Sequence, residues 1–206
     1  MYIEDCDNLV SSPGLIANNF MSIGGNGVAR GIYMTGSSYY NILNNNFHIT
    51  NTHTGQSIGV PMYLTSNPSL KVYNNNFSNA GVGYGIYANN NTSFLADYNN
   101  YYVLGSQIGY WNGTARTTLS DWQSSTGQDL NAIEINPQFM SDSDLHVSNV
   151  LLNGAGLFQA LVTQDIDGES RQNPPDIGAD EFDPSIANDA GVFMAVGPHA
   201  PFAHGS

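Results

Sequence analysis

The residues able to do chemistry in this 206-residue chain are few and scattered. Asp165, Asp167 and Glu169 alternate around Gly168, a pattern in which hard carboxylate oxygens could collect around Ca2+. A calcium loop needs more ligands at set spacing than these three supply. A structural reading therefore stands beside the calcium one, with Asp165 or Asp167 turning the chain and Arg171 paired to Asp176, Asp180 or Glu181. Between Leu15 and Gly113 the only carboxylate is Asp97, and the only basic residues are Arg30 and Lys71. A uronate lyase would want a group of acidic calcium ligands beside an Arg or Lys, and a glycosidase two carboxylates about 5 to 10 Å apart. Asp97 alone meets neither need. His48 and His53 lie in a stretch without a nearby carboxylate and read as loop polars.

Charge and composition narrow the functions further. Charged residues make up 10% of the chain, so Asn, Ser, Thr and Gly carry its polarity. The net charge is −13, and 13 of the 17 acidic residues lie from Asp121 onward. A nucleic-acid partner is excluded, since binding a polyanion depends on clustered Lys and Arg. Cys6 is the only cysteine, which rules out an intrachain disulfide and a cysteine metal cluster. No run approaches 18 apolar residues, so no membrane insertion is expected.

The elements that must position these residues are written in a repeat. Tyr33, Tyr63 and Tyr87 are each followed 14 residues later by an aromatic, namely Phe47, Phe77 and Tyr101. The step from that aromatic to the next tyrosine varies, 16 and then 10 residues. One arc is fixed and the other free. Each aromatic is preceded by an Asn run, Asn44-Asn45-Asn46, Asn74-Asn75-Asn76 and Asn99-Asn100, and Asn18-Asn19-Phe20 marks a partial earlier coil. Such a period indicates a solenoid whose repeats bury their apolar faces only against one another.

A right-handed parallel β-helix explains the fixed spacing, because coils about 4.8 Å apart place equivalent residues above one another. A β-sandwich, the main rival, does not. The spacing predicts a stack of Phe47, Phe77 and Tyr101 and a second file of Tyr33, Tyr63 and Tyr87. The Asn runs read as ladders at a bend that favours the left-handed conformation; a sugar-binding amide row is the functional alternative. The tyrosine file reads likewise as packed aromatics or as a sugar-stacking platform. Variable length concentrates at Met21 to Ile32, His48 to Met62 and Ser78 to Ile86, the longest insertion following His48, where Thr50, Thr52 and Thr54 alternate.

Tyr110, in Ile108-Gly109-Tyr110-Trp111-Asn112-Gly113, begins a last coil, but no aromatic follows 14 residues later and the repeat ends. The stretch from Thr117 to Gly127 reads as a short helix, with Thr or Ser as its cap and Gly127 closing it, that covers the open coil end. The expected organisation is β-helix coils over 1–116, truncated at their start, a cap over 117–183, and over 184–206 a linker or the start of a following module.

Leu119-Ser120-Asp121-Trp122-Gln123, Asn136-Pro137-Gln138-Phe139, Asp144-Leu145-His146-Val147, Asp165-Ile166-Asp167-Gly168 and Asp176-Ile177-Gly178-Ala179-Asp180-Glu181 form an ordered series. Together with the coils it resembles the C-terminal end of secreted bacterial parallel β-helix repeat proteins of the pectate-lyase-like superfamily. The resemblance implies an all-β solenoid, export to the surface or medium, and further extracellular modules. It implies no single activity, because this fold hosts lyases, hydrolases and inert stalks alike. The expectation is a non-catalytic, adhesin-like segment touching extracellular polysaccharide, with no obligatory cofactor beyond the Ca2+ candidate. The alternative is the remnant of a lyase or hydrolase whose active site lies upstream.

Overall fold

The computed structural model describes residues 1–51, 59–105 and 107–184. Its strands form a parallel β-solenoid in which each turn gives one strand to each of three sheets. Sheet one holds β1 (Tyr2–Glu4), β4 (Ala29–Thr35), β7 (Gly59–Thr65), β10 (Ile86–Asn89) and β13 (Gly109–Trp111) in parallel register. Sheet two holds β2 (Gly14–Ala17), β5 (Tyr40–Leu43), β8 (Leu70–Tyr73) and β11 (Phe94–Asp97). Sheet three holds β3 (Phe20–Ile23), β6 (Asn46–Ile49), β9 (Asn76–Asn79) and β12 (Asn100–Val103).

The register carries the expected files. Phe47 pairs with Phe77 and Phe77 with Tyr101, their ring centroids 5.5 and 5.2 Å apart inside the core. Side-chain alternation sends Ile32, Met34, Met62, Leu64, Ile86 and Ala88 inward, all fully buried. Tyr33, Thr35, Tyr63, Thr65, Tyr87 and Asn89 therefore face outward, and all are half-buried.

The Asn runs do three jobs in three successive positions. Asn18, Asn44 and Asn74 take positive φ at the bend, a place Tyr98 fills in the last coil. Asn19, Asn45, Asn75 and Asn99 turn inward as a ladder, each side-chain amide donating to the next Oδ1 at 2.8, 2.9 and 3.1 Å. Asp129 is its last rung: Asn99 donates to Oδ1 at 2.8 Å, while Tyr101 Oη and Trp122 Nε1 both donate to Oδ2 at 2.8 Å. Asn46, Asn76 and Asn100 point to the outside of sheet three. At the opposite turn a shorter ladder links Ser37, Asn67 and Asn91.

Two devices close the coil end. Asn112-Gly113, both at positive φ, turn the chain so that β14 (Thr114–Arg116) pairs antiparallel with β13. Helix α1 (Leu119–Thr126) then crosses the opening, capped by the Thr118 side chain and stopped by left-handed Gly127. Trp122 is wholly buried between Trp111 and Tyr101. A side chain at Gly109 would meet its ring within 2.6 Å, so only glycine lets the helix lie down there.

The segment expected as a cap reaches further than a lid. Beyond Asp129 it runs back along the flank of sheet three, from the last coil to the first. Ile135 exchanges two hydrogen bonds with the Asn100 side chain, the carbonyls of Leu145 and Ile177 accept from Asn46 and Asn76, and Gln164 O accepts from Asn18. This strap has a small core of its own in Val147, Leu152 and Ile177, with Phe139 and Phe182 beside it. A Cβ at Gly178 would lie 2.3 Å from Asn46 Oδ1 and 2.4 Å from Asn76 Nδ2, so that glycine is where the strap touches the amide row. The linker or module expected beyond it lies, from residue 185 onward, outside the described residues.

Candidate functional site

Two surfaces gather side chains that the fold itself does not consume. The first is the outer face of sheet one. Tyr2, Tyr33, Tyr63, Tyr87 and Tyr110 stack in register, with centroids 5.0, 5.2, 4.1 and 4.4 Å apart and planes within 12° of parallel. Arg30 places its guanidinium carbon 3.9 Å from the Tyr63 ring centre and 4.9 Å from that of Tyr33, a cation–π contact. Interior rings thus turn their faces to one another and to Arg30, so a ligand meets ring edges and phenol oxygens. A sugar-stacking platform needs free ring faces; a row of hydroxyls flanked by Thr35, Thr65 and Asn89 does not. Burial and the neighbouring Tyr63 and Tyr110 hydroxyls hold the Tyr87 phenol above its ordinary range, so that phenol stays protonated and able to donate.

The second surface is a groove of about 760 Å³ on the strap, lined in part by Met140, His146, Asp167, Glu169, Asp180 and Phe182. His146 lies between two carboxylates: its Nδ1 is hydrogen-bonded to Asp144 Oδ1, and its Nε2 lies 2.8 Å from Asp167 Oδ2. Burial lowers the imidazole pKa, but the bonds to Asp144 and Asp167 and the charges of Asp180 and Asp144 outweigh it and hold His146 at about 9. Asp180 is almost fully buried; burial raises its carboxyl, and the Val147 N–H, donated to Oδ2 at 3.1 Å, pulls it down. Among the described residues, His146, Asp167 and Asp180 form the one group of three whose ligand atoms lie within 4.8 Å of one another.

The carboxylates singled out in the sequence divide between these roles. Asp165 turns the chain: its Oδ1 accepts the N–H groups of Asp167 and Glu169, and its Oδ2 that of Glu181. Asp167 joins His146 instead, and Glu169 is exposed on the groove wall. Arg171 pairs with Glu181 at 3.1 Å, both side chains buried, and donates to the carbonyls of Gly178 and Asp180 and to Asn18 Oδ1. Asp176 accepts from the N–H groups of Gly154 and Phe182. Asp97 has both oxygens engaged, by Tyr98 N–H and by Asn131.

His48, expected to be a loop polar, sits on β6 and touches Ser78 and Asp142 at 2.9 and 3.2 Å, because the strap brings Asp142 across the flank. His53, Thr52 and Thr54 lie outside the described residues. Sequence reasoning named Asp180 only as one of three partners for Arg171, and did not single out His146 or Asp129. His146 stood inside a quoted block, and Asp129 follows Asn99 by the same 30 residues that separate Asn45 from Asn75.

No family model matches this chain, and no curated protein and no solved structure is significantly similar to it.

Proposed function

We propose that this chain is a non-catalytic solenoid segment of an exported or cell-surface protein, and that it contacts extracellular polysaccharide through the outer face of sheet one. The observation that carries the reading is the tyrosine file. Its rings stack on one another, so the file offers a regular row of phenol oxygens, with Thr35, Thr65 and Asn89 beside them in register. Hydroxyl and amide groups on a stiff, repeating surface suit a polymer of sugars, whose own hydroxyls recur along an extended chain. The rigid scaffold keeps the ordering cost of binding low. Asp97 is the only carboxylate between Leu15 and Gly113, and its own oxygens serve the backbone and Asn131, which favours contact over turnover.

The test is a glycan array probed with the chain and with the combined variant Tyr33→Phe, Tyr63→Phe, Tyr87→Phe. These changes keep the ring stack and remove only the hydroxyls. Binding to a polysaccharide that falls at least tenfold in the variant, with melting temperature unchanged, supports the reading. Undiminished binding in the variant sinks it, and so does release of reducing ends or unsaturated uronates from the bound glycan.

A further inference from the structure

We propose that His146, Asp167 and Asp180 form a site for one divalent transition cation of the zinc class. The three come from separate passes of the strap, yet their ligand atoms already lie within 4.8 Å of one another. Imidazole nitrogen and carboxylate oxygen are the donors such cations take, three from the protein with a further position left open. The open position faces the groove, about 760 Å³ in volume, where Glu169 and Met140 stand on the wall.

Two further features hold the donors in place. His146 Nδ1 is held by Asp144, which fixes the ring, and Nε2 meets Asp167 Oδ2; a cation binds there as the Nε2 proton is released. This is the carboxylate–imidazole arrangement found behind metal-bound histidines, where it orients the ring and strengthens the donor. Asp180 is 6% exposed and its Oδ2 takes the Val147 N–H, which fixes the carboxylate at the groove beside His146. Ca2+ prefers six or more oxygen ligands, so the nitrogen of His146 argues for the transition cations over calcium. Asp165, engaged by three backbone N–H groups, supplies no ligand here.

The experiment is a calorimetric titration of the EDTA-stripped, dialysed full chain with ZnCl2, CoCl2 and CaCl2 at one fixed pH, with Co2+ absorption recorded in parallel. One equivalent of Zn2+ or Co2+ should bind, Ca2+ at least tenfold more weakly, and the melting temperature should rise with the bound ion. Asp167→Asn, at a half-exposed side chain, should weaken Zn2+ binding at least tenfold while circular dichroism stays unchanged. Asp144→Asn, one step behind the ligands, should weaken it 10- to 100-fold. His146→Gln should remove the imidazole signature from the Co2+ spectrum. Absence of transition-metal binding overturns the proposal, as do Ca2+ binding tighter than Zn2+ and binding unchanged in Asp167→Asn and His146→Gln, which would mean the ion is held elsewhere. Glycan binding plays no part in these readouts.

Discussion

Asp129 is the residue on which two systems meet, the inner amide ladder and the helix that covers the coil end. It stands where a fifth amide could have stood, but Trp122 Nε1 and Tyr101 Oη both donate to it, and only a carboxylate accepts from all sides. Burial raises its pKa to about 6 against the pull of the Asn99, Trp122 and Tyr101 hydrogen bonds, and burial raises Asp176 to about 6 as well. Both groups bind a proton more tightly folded than unfolded, where the ordinary value is 3.8. Their contribution is complete below about pH 4 and is lost as pH rises through about 6. The melting temperature at pH 5 should therefore exceed that at pH 7.5, by an amount on the order of a few kcal/mol in stability. Asp129→Asn should flatten that slope and lower stability overall by roughly 1–3 kcal/mol, because Trp122 Nε1 then faces an amide donor. A melting temperature that climbs with pH, or a slope untouched by the variant, would contradict this. The ladder itself was legible in the sequence because three Asn runs recurred at one repeat position. Its carboxylate end was not, because Asp129 keeps the 30-residue spacing from Asn99 but stands outside any Asn run.

At the scale of elements, whatever register dictates could be read and whatever the path between elements decides could not. Stacked coils force Phe47, Phe77 and Tyr101 into one file, so a constant 14-residue arc sufficed to predict it. The same arc could not say which file faces solvent, since that depends on strand alternation around the bends. Helix α1 announced itself through Thr118 and Gly127, whereas the Asn112-Gly113 hairpin was hidden in what read as the start of another coil. The helix acts mainly through one residue. Trp122 fills the end of the core, wholly buried, beside Trp111, Tyr101 and the bare backbone of Gly109. Trp122→Ala should cost about 3–5 kcal/mol by denaturant titration. A loss under 1 kcal/mol would mean that the helix is an ornament rather than a plug.

For the whole molecule, the strap makes coils and C-terminal segment one body. Its anchors are the outward amides of Asn46, Asn76 and Asn100 and the buried pair of Arg171 and Glu181. The Asp-Ile-Gly-Ala-Asp-Glu block, legible as a motif, acts through contacts the sequence does not display: Asp176 on two backbone N–H groups, Gly178 on the amide row, Asp180 beside His146, Glu181 on Arg171. Its flank-wise course was not legible, because no local pattern distinguishes a lid from a segment running back along the stack. Arg171→Ala leaves Glu181 buried and unpaired and should cost about 3–5 kcal/mol. Hydrogen exchange should then quicken over 130–182 before it quickens in the coils; simultaneous loosening of both would contradict the anchoring role.

The central functional claim is that polysaccharide meets the outer face of sheet one. Its most direct measurement is amide and side-chain chemical-shift mapping by NMR during titration with the glycan selected on the array. The account predicts shifts confined to the outward residues of sheet one, Tyr33, Tyr63, Tyr87, Thr35, Thr65 and Asn89 together with Arg30. Shifts that avoid these residues and cluster around the His146 groove or the far side of the strap would contradict it.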